Sequence, residues 1–150
     1  MRFTNVKLFD ENFKFINTDV CVENGIFADS AEGESLDCTG LMMLPGLVDV
    51  HTHGAIGFEA KDGSTESLQA LSVFEAEHGV TAFLPTTATE STEGLKLSAK
   101  AIARTKNIVK GAKIGGMHME GPYFSYKKRG AQNADYLKEP DFEGFKALQE

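Results

Sequence analysis

Cysteine is scarce in this 150-residue chain: Cys21 and Cys38 stand far apart and in no CxxC pattern. Two such thiols make neither a disulfide framework nor a zinc ribbon, and they read as reduced groups packed in a cytoplasmic protein. No run of ~18 apolar residues exists, so no transmembrane helix is expected. The opening MRFTNVKLFDENF lacks the long apolar stretch of a secretory signal. Basic residues are in deficit, with 15 Lys and Arg against 22 Asp and Glu and a net charge of −7. That balance excludes a general binder of nucleic acid or of anionic membranes, although a small anionic substrate needs only a few local cations or backbone amides. Low-complexity tracts and solenoid repeats are also missing. What remains is a globular composition, 41% hydrophobic, long enough for an ordinary domain with a core.

Two textures follow one another along the chain. Residues 1 to about 44 read as short strands and turns: Phe3 to Phe9, Phe13 to Ile16, and a hairpin from Asp19 to Asp29 around Asn24-Gly25. From Leu44 the pattern alternates between strand and helix. Leu47 to His51 is the first strand. Ser64 or Thr65 caps a helix that carries Leu68, Leu71, Phe74 and Ala76 inward and stops at Gly79. Val80 to Leu84 is a second buried strand closed by Pro85. Ser91 or Thr92 opens a helix with Leu95, Ala99 and Ile102 on one face. Lys113 to Met119 is a third strand, and Asp141 caps a last helix with Phe142, Phe145 and Leu148 on one side. Such alternation implies a parallel sheet with crossover helices, an α/β fold.

Three clusters carry chemistry. In LPGLVDVHTHG, residues 44–54, His51 and His53 end the first strand at i and i+2, so both can face one ion. Asp49 shares their face if the strand stays regular, either orienting a ligand histidine or forming a buried hydrogen bond. In GGMHMEGP, residues 115–122, His118 and Glu120 alternate in the same way. Glu120 can complete a site with the histidine pair, and His118 reads as a hydrogen-bonding neighbour of that site. The third cluster is KKRGAQN, residues 127–133, on the following loop. Gln132 and Asn133 can hydrogen-bond a sugar or an amide there, while Lys127, Lys128 and Arg129 read as a solvated run. His78 reads as a cation at a helix carboxyl end. Pro85-Thr86-Thr87 fits either a pocket lining or an ordinary turn.

Together, LPGLVDVHTHG, TAFLPTTAT at 81–89, MHMEGPY at 117–123 and KKRGAQNADYL at 127–137 resemble the N-acetylglucosamine-6-phosphate deacetylases of the amidohydrolase superfamily. The resemblance implies a (β/α)₈ TIM barrel whose first three β/α units occupy residues 45–150. The strands of residues 1–44 would belong to a small β-sandwich domain. It implies hydrolysis of N-acetylglucosamine 6-phosphate to glucosamine 6-phosphate and acetate. One or two divalent ions, zinc, iron or manganese, would serve the reaction, and the enzyme would be a homodimer. Glu120 matches the family's metal-binding glutamate, and His51 and His53 match a pair that some members use for a second metal. Ala131 and Gln132 match sugar-phosphate contacts, and some members have histidine in place of Gln132.

The resemblance places two further metal-binding histidines and the catalytic aspartate beyond Glu150, so the chain reads as the amino-terminal portion of a longer protein. Two rivals stay open. One is another amidohydrolase, dihydroorotase-like or deaminase-like, against which the HMEGP glutamate counts. The other is an inactive amino-terminal fragment with an open sheet edge.

Overall fold

The computed structural model describes residues 1–149, and the chain divides into two compact units, Met1–Pro45 and Gly46–Glu150. In the first unit, β1 (Arg2–Phe9), β2 (Phe15–Glu23), β3 (Ile26–Ala28) and β4 (Ser35–Asp37) form one sheet in the order β3-β2-β1-β4. β1 pairs antiparallel with β2 and parallel with β4. Asn24 and Gly25 take φ of 52° and 79°, the left-handed pair that a two-residue hairpin turn requires. The separate strand expected from Phe13 does not form. Phe13 sits in a tight turn at φ 58°, where the Asp10 carboxylate accepts the N–H groups of Asn12 and Lys14 at 2.9 and 2.8 Å. These bonds, with Lys14 first, hold the Asp10 carboxyl below its ordinary pKa. Both cysteines are free thiols, and Cys38 is buried with Val6.

The second unit contains β5 (Leu47–Thr52), a small hairpin of β6 (Gly54–Ala55) and β7 (Phe58–Glu59), and α1 (Thr65–Glu77). β8 (Val80–Thr87), α2 (Thr92–Thr105), β9 (Lys113–Ile114), β10 (His118–Met119) and α3 (Phe142–Lys146) follow. β8 is central, with β5 on one side and β9 and β10 on the other, all parallel. Each helix starts where a side chain accepts an otherwise unpaired N–H: Ser64 from Ser67, Ser91 from Gly94 and Asp141 from Gly144. Leu68, Leu71, Phe83, Ala101, Ile102 and Ile114 lie in the core between helices and sheet. No helix among the described residues is long and apolar enough to cross a membrane.

Several local features depart from the pattern read in the sequence. β8 does not stop at Pro85 but runs to Thr87. Proline lacks a ladder N–H, yet it is tolerated because the pairing shifts register there and the Thr86 hydroxyl takes the Thr52 N–H at 3.1 Å. The third strand breaks into β9 and β10 at Gly115-Gly116-Met117. Ile114 pairs with Phe83 and His118 with Thr86, so four steps there oppose three on β8, a one-residue bulge. β5 does the same: Asp49 pairs with Phe83 and Thr52 with Pro85, three steps against two. α3 is only five residues long, with Phe142 exposed and Leu148 beyond its end.

α1 buries Glu75 where Ala76 was expected, because i+4 from Leu71 is residue 75 and Ala76 turns to solvent. Burial, followed by the nearby Asp49 charge, pushes the Glu75 carboxyl above its ordinary value of 4.5. The folded state therefore holds this proton more tightly than the unfolded chain. The stability linked to it is fully present below the ordinary value and is lost as pH rises through the folded one. Glu75→Gln is expected to flatten that dependence. Urea midpoints of both proteins at pH values on either side of 4.5 check it, and parallel curves would refute it.

Gly111 marks the tightest approach of the α2–β9 connection to α1. A Cβ there would lie 2.1 Å from the Ser72 carbonyl oxygen, and the Ser72 hydroxyl accepts from Gly111 N at 3.1 Å while donating to the Ala112 carbonyl at 2.8 Å. Gly111→Ala must displace backbone and is expected to destabilise by about 2 kcal/mol or more, measured by urea unfolding. Gly115→Ala, which meets only the Leu84 side-chain end at 3.2 Å, is expected to cost less.

Candidate metal centre

Parallel pairing through β8 brings the carboxyl end of β5 next to that of β10. His51 Nε2 lies 3.3 Å from His53 Nε2, and Glu120 Oε2 lies 2.9 Å from His53 Nε2 and 3.5 Å from His51 Nε2. The three side chains are partly exposed. Glu120 is held in line by its own N–H, which donates to the Thr87 carbonyl at 3.2 Å.

The tautomer of His53 follows from its partner. Nδ1 lies 3.1 Å from the Thr86 carbonyl oxygen, which can only accept, so Nδ1 carries a hydrogen and the ring is turned to aim Nε2 at Glu120. Nε2 meets a carboxylate oxygen and a second ring nitrogen. A proton or a metal cation shared among them satisfies groups this close. Separations of 2.9 to 3.5 Å also match the edges of a coordination polyhedron. Ligand distances of ~2.0–2.2 Å give edges of roughly 3.0 Å in octahedral and roughly 3.4 Å in tetrahedral geometry. Nitrogen and oxygen donors of this kind suit zinc, iron or manganese. The residues present therefore fit a divalent ion.

Asp49 is not on the histidine face. The extra residue between Asp49 and Thr52 puts it in phase with Phe83, towards the helix layer, and its Oδ1 accepts the His51 backbone N–H at 2.9 Å. It neighbours Glu75, whose carboxyl its charge raises. His118 is not among the converging ligands either. Its Nδ1 lies 3.0 Å from the Val50 carbonyl oxygen, and its ring meets His51 edge-on at 4.7 Å between centroids. His78 stands at the carboxyl end of α1, its Nδ1–H capping the Phe74 carbonyl at 2.7 Å.

Beside His53 opens a cleft of about 310 Å³. Ala131, Gln132 and Asn133 line it together with Thr86 and Thr89, so the loop read as substrate-facing does reach the metal-centre side of the sheet. Gln132 Oε1 accepts the Thr89 N–H at 2.7 Å, which tethers the loop over the end of β8. Asn133 Oδ1 is occupied by the Asp135 N–H. Glu59 and Lys61 also line the cleft, paired at 2.9 Å, and the carboxylate raises the Lys61 ammonium pKa. Neither was singled out from the sequence. Their signal is position alone, on the loop after the first barrel-type strand, at the carboxyl end where reacting groups gather.

Known proteins are similar to this chain. Residues 42–150 match the Amidohydrolase family. The chain is similar to the N-acetylglucosamine-6-phosphate deacetylase of Vibrio furnissii, with 38% identity over 98 residues, 65% of this chain and 25% of that protein. It is also similar to the N-acetylglucosamine-6-phosphate deacetylase of Bacillus subtilis, with 34% identity over 113 residues, 73% of this chain and 28% of that protein. The crystal structure of N-acetylglucosamine-6-phosphate deacetylase from Thermotoga maritima superposes with a TM-score of 0.78 at 26% identity, covering 97% of this chain and 39% of that one. The chain thus spans between a quarter and two fifths of the length of these relatives. Its fold is the amino-terminal part of a metal-dependent-amidohydrolase TIM barrel preceded by β-domain strands. A sheet with His51 and His53 ending one strand and Glu120 following another, matched over residues 42–150, places this chain in the amidohydrolase family.

Proposed function

We propose that this chain supplies part of the metal centre and part of the sugar-binding loop of a hydrolase. That enzyme removes the acetyl group from N-acetylglucosamine 6-phosphate. The observation that carries the reading is the convergence of His51, His53 and Glu120 within 2.9 to 3.5 Å beside the cleft lined by Ala131, Gln132 and Asn133. The names of the Vibrio, Bacillus and Thermotoga relatives support the substrate.

His51, His53 and Glu120 would hold the ion, zinc, iron or manganese. Such an ion supplies Lewis acidity toward an amide carbonyl and lowers the pKa of water from ~15.7 to about 7. The chain's own residues set the geometry. The Thr86 carbonyl keeps the His53 Nε2 lone pair aimed inward, and Glu120 contributes the negative charge that balances the cation. Gln132 and Asn133 keep amide N–H groups for sugar hydroxyls while their oxygens are engaged by Thr89 and Asp135. An amide nitrogen leaves poorly as an anion, so hydrolysis also needs a proton donor for the departing amine.

Elemental analysis combined with acetate release from N-acetylglucosamine 6-phosphate tests the reading. Glu120→Ala is expected to lose most bound metal and to lower kcat/KM by roughly a thousandfold, in the range of other lost electrostatic catalytic groups. His53→Ala is expected to weaken metal binding in the same direction. Undiminished metal content and turnover in Glu120→Ala would refute the site. In the enzyme that carries this chain, metal uptake with no acetate release from this sugar phosphate would refute the substrate.

A further inference from the structure

Of the two histidines at the end of β5, only His53 has its ring anchored by a hydrogen bond to a carbonyl. His51 Nδ1 has no hydrogen-bond partner among the described residues, and its Nε2 faces only His53 and Glu120. Its direction must therefore come from its backbone and from its neighbours. The backbone there has left the regular ladder because β5 carries one residue more than β8 between Asp49 and Thr52. Side chains replace the missing ladder bonds. The His51 N–H goes to Asp49 Oδ1 at 2.9 Å, the Thr52 N–H to Thr86 Oγ1 at 3.1 Å, and the Val50 carbonyl to His118 Nδ1 at 3.0 Å.

His118 alone among these three meets the His51 ring and also bonds the peptide that precedes it. It sits on β10, with β8 lying between it and β5, so its ring reaches across the central strand to the Val50 carbonyl. A carbonyl only accepts, so Nδ1–H donates. The same ring stands edge-on to His51 at 4.7 Å and 89°, while the His53 ring stands on it at 5.0 Å and 83°. The His51 imidazole is thus held between two rings, with its preceding peptide pinned by one of them.

We propose that His118 is a positioning residue for His51, acting through its hydrogen bond to the Val50 carbonyl. It does for His51 through the backbone what the Thr86 carbonyl does for His53 through the ring. The inference rests on the metal-centre reading above, and its test separates the two. His118→Asn keeps an N–H where Nδ1 stands and removes the ring. His118→Phe keeps the ring edge and removes the donor.

Co²⁺ affinity by chelator competition, and the d–d absorption of the bound ion, are measured for wild type, both variants and His51→Ala. Affinity is expected to fall about 10- to 100-fold in His118→Phe and by less than about threefold in His118→Asn, the range of lost partners behind metal ligands. The His118→Phe spectrum is expected to move toward that of His51→Ala. Wild-type affinity and spectrum in His118→Phe overturn the proposal, as does a loss in His118→Asn equal to that in His118→Phe. A lowered unfolding midpoint of metal-free His118→Phe with an unmoved spectrum shows a merely structural role and also overturns it. A wild-type protein that takes up no Co²⁺ refutes the metal centre itself.

Discussion

Strand β8 lies between the two strands that bear the converging side chains, and Thr86 is the point at which it holds both. Its carbonyl takes His53 Nδ1–H, its hydroxyl takes the Thr52 N–H, and its backbone lies in register with His118. On the opposite face of the same strand Phe83 is fully buried among Leu68, Leu71 and Ile102. Side chains of this kind stabilise by about 1.5–3 kcal/mol each when fully buried. The core thus fixes the height of β8, and β8 fixes the site. A shift of the strand along its axis would break apolar packing and misplace His53 together.

The cluster of His51, His53 and Glu120 is unfavourable when no proton or cation is shared among its ligand atoms. Lone pairs and a carboxylate held a hydrogen-bond length apart then repel, and exposure to water only partly relieves this. A divalent ion held there would remove that repulsion. Its binding would then be coupled to ordering of the β5 and β10 ends, as in other proteins whose ligands must be brought together from separate segments. Glu75 shows a related tension on the far side of the sheet, where burial and the nearby Asp49 charge push its carboxyl above the ordinary value.

Local chemistry was legible in the sequence. The Asn24-Gly25 turn, the Ser64, Ser91 and Asp141 caps, the order of strands and helices, and the HxH and HMEGP segments each depend on neighbours a few residues away. What could not be read there depends on pairing across strands. β8 continues past Pro85 because a threonine hydroxyl serves in place of a ladder bond, and that threonine is Thr86, next to the Pro85 that pairs with Thr52. Asp49 falls on the helix side because β5 bulges against its partner. Glu75 is buried because the helix surface that packs is set by the sheet beneath it and not by apolarity residue by residue. Glu59 and Lys61 reach the cleft through a hairpin whose alternation is too short to read.

The bulge at Gly115-Gly116 has a consequence for what the chain tolerates. Counting from Ile114, which points into the core, an unbroken strand would send Met117 and Met119 to the side of the cleft and His118 and Glu120 to the helices. The extra residue inverts that phase. Met117 packs instead against the core and Met119 lies beside α2, while the imidazole and the carboxylate emerge on the open side. Four consecutive residues, Met-His-Met-Glu, therefore hold two interleaved programmes, one greasy and one ligating, and arithmetic selects between them. Deleting a single glycine would leave every side chain of the motif intact in sequence and exchange which pair faces the cleft.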